Sequence, residues 1–166
     1  VSEWTAAQMA EALNTADRYL LDRIVVNQPQ YNMLNRYIEK EVIPFGIENG
    51  IAQVVFSPLA QGILTGKYKP GAEIPKDSRA ADPNSNMYIL GNLKDEILIK
   101  VQKLDDLAKE MGISLSQLAL AWTLRFDNVA SAIIGASKTS QLKENVKASG
   151  IKLSDEIQQK VEEILS

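Results

Sequence analysis

The sequence contains neither cysteine nor histidine. The lack of cysteine excludes disulfides, a thiolate nucleophile and cysteine-ligated metal sites. The lack of histidine removes the commonest general base and the commonest metal ligand from this chain. We therefore predict no metal site and no catalytic group of either type.

Long apolar runs and a strong charge imbalance are also lacking. No run is long enough to span a bilayer, and no basic stretch followed by an apolar one resembles a leader. The net charge of -3 gives no general electrostatic reason to bind nucleic acid or an acidic membrane surface. We expect a cytoplasmic protein that neither inserts into membranes nor binds nucleic acid. Because the chain starts at Val1 rather than Met, we expect it to be processed, trimmed or part of a longer protein.

The 166 residues suit one domain of ordinary size, and their 45% hydrophobic content is usual for a globular protein. Two capping boxes, Thr5 with Gln8 and Ser114 with Gln117, predict two helix starts. The first helix would bury Met9, Leu13 and Ala16, and the second Leu118, Ala121, Trp122 and either Leu115 or Leu124. Apolar spacing predicts further helices at about 36–49, interrupted at Pro44, and at about 93–111, 139–148 and 155–165.

Three short aliphatic runs predict buried strands: Leu21–Val26, Ile51–Phe56 and Ala130–Ile134. The stub Val1–Ser2 looks like the end of a fourth strand. Strands that alternate with helices indicate an α/β fold with parallel pairing and helical crossovers. The Gly- and Pro-rich stretch from Gln61 to Asn92 is predicted to be mostly loop, and loops of that length are usually functional lids or linkers.

Polar residues gather where the predicted strands stop, at Ser2, Gln28, Ser57 and 135–138. In parallel α/β folds, ligands bind at the carboxyl ends of the strands. Gly135 lets a ligand approach the backbone closely, and the polar side chains from Ser137 to Ser140 offer hydrogen-bond donors. The positive end of a helix dipole lies at the same place, so phosphate is the natural ligand. The alternative is that Ser137 or Thr139 only caps a helix while Lys138 is solvated.

The other candidates also have two interpretations each. Lys67 and Arg79 in the long loop either clamp phosphates or are simply solvated. Phe56 either stacks on a flat ring or fills the core. Tyr31 is either a stacking ring or an aromatic at a rim. A third set either recognises an adenine or ribose edge or forms an ordinary polar helix face: Gln141, Glu144 and Asn145.

Several segments together resemble the aldo-keto reductases, and within them the branch of voltage-gated potassium-channel beta subunits and bacterial reductases. Their order and spacing match over essentially all 166 residues. The segments are Gln28–Asn32, Phe56–Tyr68, Ser78–Ala80, Leu118–Trp122, Ile134–Lys138, Gln141-Leu142 and Glu144-Asn145. The resemblance implies an α/β fold, a (β/α)8 TIM barrel of which residues 1–166 supply the C-terminal half in about four strand-helix units. It also implies an NADP(H)-dependent oxidoreductase that reduces aldehydes or ketones by hydride transfer.

The resemblance assigns most of the cofactor contacts to this chain. Gln28 would hydrogen-bond the nicotinamide carboxamide with Ser2 nearby, and Phe56 would stack on the nicotinamide ring. The pyrophosphate would be lined by Ser57, Leu59, Gln61 and Lys67. The adenosine end and its 2′-phosphate would be held at the Gly135 turn by Arg79, Ser137 and Gln141 with Lys138 as a helper, and the adenine by Glu144 and Asn145.

The family's catalytic Asp, Tyr, Lys and His or Asn come from the first four strands, so the resemblance places them upstream of Val1 and none in this chain. Glu3 stands where the channel-subunit branch often carries a basic residue, which puts any phosphate or ribose contact there in doubt. Half a barrel has open sheet edges, so we expect the chain to need the missing half or to self-associate, with a homo-oligomer possible. The isolated chain is expected to bind NADPH weakly and to reduce nothing.

Two other functions remain open on the sequence. One is an NADPH-binding regulatory module, like the channel beta subunits, with little catalysis. The other is a phosphate-binding barrel of a different class, such as half of an isomerase or aldolase. Arg79 and Lys138 favour NADP over NAD without deciding between them.

Overall fold

The structure, a computed structural model, describes residues 1–166, which divide into two units. The first unit is Val1–Pro58 with Thr123–Ile134, and the second is Leu59–Trp122 with Gly135–Ser166. The first unit contains α1 (Ala6–Tyr19), β1 (Val26–Asn27), α2 (Val42–Asn49), β2 (Ala52–Phe56) and β3 (Val129–Ile133). The second contains α3 (Asp95–Glu110), α5 (Thr139–Val146), α6 (Asp155–Leu165) and α4 (Leu115–Thr123), whose last residue belongs to the first unit.

The first unit has a parallel sheet in the order β1-β2-β3. Val26 pairs with Ala52, and Gln53 pairs with Val129 before a register shift brings Val54 opposite Ser131. An isolated parallel bridge joins Ser2 to Gln28, so the predicted strand stub at Val1–Ser2 is confirmed. The predicted α/β fold with parallel pairing is confirmed, and the second and third predicted strands match β2 and β3 to within a residue.

The predicted strand Leu21–Val26 is mostly wrong. The structure has only Val26–Asn27 in a strand there, and both Leu21 and Val25 are exposed. Leu20 ends α1 in the left-handed conformation, and the ladder with β2 begins only where Ala52 donates to the carbonyl of Val25. Strand formation needs a partner within hydrogen-bonding reach, and the aliphatic composition of this run does not supply one.

Local helix signals are confirmed in the first unit. The backbone N–H of Thr5 donates to the Gln8 side chain at 2.9 Å, and the N–H of Gln8 donates to Thr5 Oγ1 at 3.2 Å. The face of α1 that is buried consists of the predicted Met9, Leu13 and Ala16. The predicted helix 36–49 divides into a 3₁₀ turn, Tyr37–Glu39, and α2, where Pro44 lies in the first turn and its missing N–H costs nothing.

Amide side chains lie between the sheet and α2, where Asn27 and Gln53 are buried and Asn128 is partly buried. Asn27 Nδ2 donates to Gln53 Oε1 at 3.3 Å, while Gln53 Nε2 and Asn128 Nδ2 both donate to the carbonyl of Ile51, at 3.1 and 2.8 Å. Gly46 of α2 packs against this amide cluster, because a Cβ there would lie 2.5 Å from the Ile51 oxygen. The cluster of Asn27, Gln53 and Asn128 therefore requires a glycine on the facing helix.

In the second unit, the capping box of Ser114 and Gln117 is confirmed in both directions, at 3.1 and 3.3 Å. Of the residues predicted to be buried in α4, Leu118, Ala121 and Trp122 are buried, together with Leu115 rather than Leu124. The buried face of α3 consists of Leu98, Val101, Leu104, Leu107 and Ala108. α3 contacts α6, where Lys100 Nζ donates to the carbonyl of Leu165 at 2.8 Å.

The stretch from Gln61 to Asn92 contains no helix longer than a few 3₁₀ residues, as predicted. It is anchored by buried Ile63, Leu64, Tyr68 and Ile89. None of the helices is both long enough and apolar enough to cross a membrane.

Candidate functional site

The carboxyl end of β1 brings together two of the predicted site residues. Ser2 Oγ donates to the carbonyl of Gln28 at 2.9 Å, and the N–H of Gln28 donates to the carbonyl of Val1 at 2.9 Å. The side chains of Ser2 and Gln28 belong to exposed residues, so both are available to a ligand.

Glu3 follows Ser2 and takes the left-handed conformation, with φ 58°. Its carboxylate accepts hydrogen bonds from the backbone N–H of Gln30 and, at 3.1 Å, from the hydroxyl of Tyr37. Burial and this carboxylate together raise the pKa of the Tyr37 hydroxyl above its ordinary value. Glu3 thus links the start of the chain to the segment after β1. A basic residue in place of Glu3 would leave Tyr37 without this partner.

Phe56 ends β2 and is partly exposed. Its N–H donates to the carbonyl of Pro29 at 3.0 Å, and its carbonyl accepts from the N–H of Tyr31 at 3.2 Å. These two bonds extend the parallel ladder past β1, so the backbone that carries the Phe56 ring is held through both its N–H and its carbonyl.

Ser57 comes next and leaves the ladder in the left-handed conformation, with φ 53°. Asn32 Nδ2 donates to the Ser57 carbonyl at 2.9 Å from a side chain that is almost fully buried. Sequence reasoning named Asn32 only as part of a motif and gave it no role. A signal was present, because asparagine is a residue that bonds backbone groups in turns.

Tyr31 does not stack on a ligand or sit at a rim, because it is fully buried. Its hydroxyl donates to Glu39 Oε1 at 2.7 Å and accepts from Arg125, which also donates to Glu39 at 2.7 Å. Arg36 adds two further bonds to the same carboxylate, at 3.0 and 2.8 Å. Burial raises the pKa of Tyr31, whereas for Glu39 the hydrogen bonds outweigh burial and lower the pKa of its carboxyl.

The second unit opens with a tight turn that contains two of the predicted residues, Leu59 and Gln61, and Lys67 follows it. The carbonyl of Leu59 accepts from the N–H groups of Gly62 and Leu64, at 2.9 and 3.2 Å. Ala60, Gln61 and Gly62 all have positive φ, at 46°, 58° and 102°. Consecutive left-handed residues are costly and tend to occur at functional sites.

Lys67 folds back over this turn. Its Cε lies 3.1 Å from the position that a Cβ on Gly62 would occupy, and its ammonium lies 5.3 Å from the centre of the Tyr68 ring. Tyr68 is buried, and its hydroxyl accepts from the N–H of Ala80 at 3.4 Å. Tyr68 therefore contacts both Lys67 and the segment that presents the exposed Arg79.

The turn from Gly135 to Gln141 is open to solvent throughout. Gln141 Oε1 accepts three hydrogen bonds in it: from the N–H of Ser137 at 2.9 Å, from Ser137 Oγ at 3.2 Å and from the N–H of Lys138 at 3.2 Å. Three donors thus converge on one oxygen at the start of α5. The helix end is thus closed by the Gln141 side chain and not by Ser137 or Thr139, which the capping alternative named. The three donors are the set that an anion needs.

Further along α5, Glu144 and Asn145 are not an ordinary exposed polar face. Asn145 is buried, and the carbonyl of Glu144 accepts from Gln117 Nε2 of α4 at 3.1 Å. The Glu144 carboxylate pairs with Lys147 at 3.1 Å. Of Glu144 and Asn145, only Glu144 is therefore partly accessible to a ligand.

Comparisons with known proteins identify the family of the chain. A model of the "Aldo/keto reductase family" matches residues 1–166. A "Probable voltage-gated potassium channel subunit beta" of Arabidopsis thaliana is 47% identical over 148 residues, which are 89% of this chain and 45% of that protein. A protein of the same name in Oryza sativa subsp. japonica is 42% identical over 99% of this chain and 51% of its own length.

An "L-glyceraldehyde 3-phosphate reductase" of Escherichia coli (strain K12) is also similar, with 41% identity over 75% of this chain and 36% of that protein. The chain spans about half the length of the two plant relatives.

Proposed function

The chain belongs to the aldo/keto reductase family, and from that membership we propose that it supplies most of the NADP(H)-binding residues of an oxidoreductase that reduces aldehydes or ketones. The family resemblance derived from the sequence is confirmed. The single observation that carries the cofactor proposal is the convergence of three donors of Ser137 and Lys138 on Gln141 Oε1 in an exposed turn. NADPH, when bound, supplies the hydride that the carbonyl carbon receives.

In the first unit, we assign the nicotinamide end to Ser2, Gln28 and Phe56. The exposed amide of Gln28 is suited to hydrogen-bond a carboxamide, and the bond from Ser2 to its carbonyl fixes the backbone that carries it. Phe56, whose backbone N–H and carbonyl are both hydrogen-bonded, offers a partly exposed ring for stacking. Ser57 is assigned to the pyrophosphate.

In the second unit, Leu59, Gln61 and Lys67 are assigned to the pyrophosphate. The left-handed residues of this turn and the Lys67 ammonium beside Gly62 support the assignment, because a close backbone approach and a positive charge suit a phosphate.

The adenosine end and the 2′-phosphate are assigned to Arg79, Gly135, Ser137, Lys138 and Gln141, also in the second unit. Two cations and the start of a helix favour a phosphorylated ribose and therefore NADP over NAD. Glu144 and Asn145 are assigned to the adenine, with the partly accessible Glu144 expected to contribute more.

We further propose that residues 1–166 form the C-terminal part of a (β/α)8 barrel, in line with their span of about half the plant relatives. The catalytic Asp, Tyr and Lys then lie outside this chain. The isolated chain is expected to bind NADPH weakly and to turn over no carbonyl substrate, because it needs a complementary half or a second copy to cover its sheet.

The test is a fluorescence titration of the full-length protein with NADPH, using the variants Phe56→Ala, Ser137→Ala and Gln141→Ala. Each should weaken binding about tenfold, as loss of a good polar or stacking contact does. Gln159→Ala, an exposed glutamine on α6, is the matched control and should bind like the wild type. Unchanged affinity in all three variants would refute the site assignment. A parallel titration with a sugar phosphate separates this function from an isomerase or aldolase, since only NADPH should bind.

A second function is favoured by the 47% identity to a protein named as a channel beta subunit. In that case the protein binds NADPH as a regulatory module with little catalysis. Steady-state turnover of simple aldehydes by a monomer supports the reductase. A four-subunit ring that captures a potassium channel and lacks turnover supports the module.

A further inference from the structure

Beyond Phe56, the ladder between β2 and the segment after β1 cannot continue through backbone groups. The carbonyl of Phe56 receives the N–H of Tyr31, but the next donor on the β2 side would be residue 58, which is proline and has no N–H. The Ser57 carbonyl is instead bonded by a side chain, since Asn32 Nδ2 donates to it at 2.9 Å. A buried amide therefore extends the ladder by one residue where the backbone leaves the sheet.

Asn32 is held in place by its own turn. Its Oδ1 accepts from the N–H groups of Leu34 and Asn35, at 2.9 and 3.0 Å. The backbones of Asn32 and Asn35 also exchange two hydrogen bonds, at 3.2 and 3.1 Å. With only 1% of the residue exposed, this side chain can point its Nδ2 in one direction only.

Ser57 has a conformation that needs support. A φ of 53° is uncommon for a residue with a Cβ, and such residues persist when neighbouring structure holds them. The bond to its carbonyl orients the peptide plane between Ser57 and Pro58. The Phe56 carbonyl, bonded by the N–H of Tyr31, belongs to the preceding peptide plane, which contains the Ser57 N–H. The two bonds together fix the backbone at Ser57.

We propose that Asn32 is a positioning residue, which holds Ser57 in the left-handed conformation that presents it to the cofactor phosphates. The role of Ser57 in cofactor binding rests on the proposed function, whereas the bond from Asn32 to the Ser57 carbonyl does not. Asn32 does not touch the cofactor and acts only through Ser57.

Asn32→Asp separates this role from the local turn. The new carboxylate still accepts from Leu34 and Asn35, but at neutral pH it has no proton to donate to the Ser57 carbonyl. Asn35→Asp is the matched control, because Asn35 Nδ2 donates to Gln30 Oε1 at 3.1 Å and not to Ser57. Two quantities are measured on the full-length protein: NADPH affinity, and the backbone NMR chemical shifts of Ser57 without nucleotide.

We expect Asn32→Asp to weaken NADPH binding at least tenfold and to move the Ser57 shifts, and Asn35→Asp to do neither. Lowering the pH should close the gap between Asn32→Asp and the wild type, because a protonated carboxyl regains a donor. A gap in NADPH affinity that stays constant with pH would overturn the proposal. So would Ser57 shifts that stay unchanged in Asn32→Asp.

Failure of the proposed function and failure of the positioning role give different results. If the wild type does not bind NADPH, the proposed function is wrong, and the Ser57 shifts alone then decide whether Asn32 positions Ser57. If the wild type binds and Asn32→Asp binds equally well, the positioning role is wrong and the proposed function stands. Should Asn32→Asp fail to fold, Asn32→Ser takes its place under the affinity and chemical-shift criteria alone, because its side chain does not titrate and is too short to reach the Ser57 carbonyl.

Discussion

The turns that follow β2 and β3 differ in what holds them: a buried side chain in one and an exposed side chain in the other. At Ser57 the backbone is fixed by a buried amide, Asn32, and the strand before it rests on the amide cluster of Asn27, Gln53 and Asn128. The turn that begins at Gly135 is exposed, and the N–H groups of Ser137 and Lys138 in it are bonded to the side chain of Gln141. One strand end is rigid before any ligand arrives, whereas the other presents donors that a ligand can take over.

A glycine-to-alanine substitution should lower the free energy of unfolding far more at buried Gly46 than at exposed Gly135. In Gly46→Ala the new Cβ would lie 2.5 Å from the Ile51 oxygen and 2.8 Å from two side-chain nitrogens. We expect the free energy of unfolding to fall by about 3 kcal/mol, the upper range for overpacking. Gly135→Ala meets nothing within 4 Å and should change it by less than about 0.5 kcal/mol. Urea denaturation of both variants measures the difference, and equal losses would contradict the contrast.

The second prediction concerns pH. The pKa of Glu39 in the folded protein is below its ordinary value, so its bonds to Arg36, Tyr31 and Arg125 stabilise the fold above the unfolded pKa. That contribution is lost as the pH falls through the folded pKa. Glu39→Gln should therefore cost about 2 kcal/mol at pH 7, as loss of charged hydrogen bonds does, and progressively less below about pH 4.5.

Denaturation of the wild type and Glu39→Gln across pH 3–7 checks this. Glu48→Gln, at an exposed position on α2, is the control and should run parallel to the wild type. A Glu39→Gln deficit that does not shrink with acid would mean that the ion cluster does not supply the stability assigned to it.

Hydrogen exchange should show the contrast directly. The N–H groups of Gln53 and Phe56, bonded to the carbonyls of Asn128 and Pro29, should be protected with or without NADPH. The N–H groups of Ser137 and Lys138, which are bonded to an exposed side chain, should exchange fast in the free protein. Bound NADPH should lower their exchange rate about tenfold, equivalent to about 1.4 kcal/mol. Equal protection of both sets before ligand is added would remove the distinction.

The smallest effect is expected from Gln141→Ala on stability. Because the turn is exposed and water can replace the amide oxygen, the free energy of unfolding should change by less than about 0.5 kcal/mol. A thermal melt measures this in the variant that the nucleotide titration also uses. A large loss of stability would show that Gln141 is a structural cap rather than a group that yields to a ligand.

Local signals in the sequence predicted local structure well. The capping boxes at Thr5 and Ser114 are formed as predicted because their partners lie three residues away. The prediction of a strand at Leu21–Val26 was mostly wrong, because strand pairing depends on a partner that is distant in the sequence. Only Val26 and Asn27 pair with β2.

For the candidate site, the exposed donors at Ser137 and Lys138 could be predicted from spacing and helix polarity. The roles of Asn32, Asn27 and Gln53 could not, because amide side chains are expected at the surface and their burial depends on tertiary partners. The family resemblance supplied the assignments of Gln28 and Phe56, which composition and spacing alone left undecided.

The division of the chain has a consequence for folding kinetics. The first unit is discontinuous, and β2 pairs with β3 only after the intervening residues 59–122 have been made. Closing such a long loop lowers the folding rate more than it lowers stability. During synthesis on the ribosome, the β3-facing edge of β2 therefore stays unpaired until residue 133 emerges, and this interval is when the nascent protein is most exposed to aggregation.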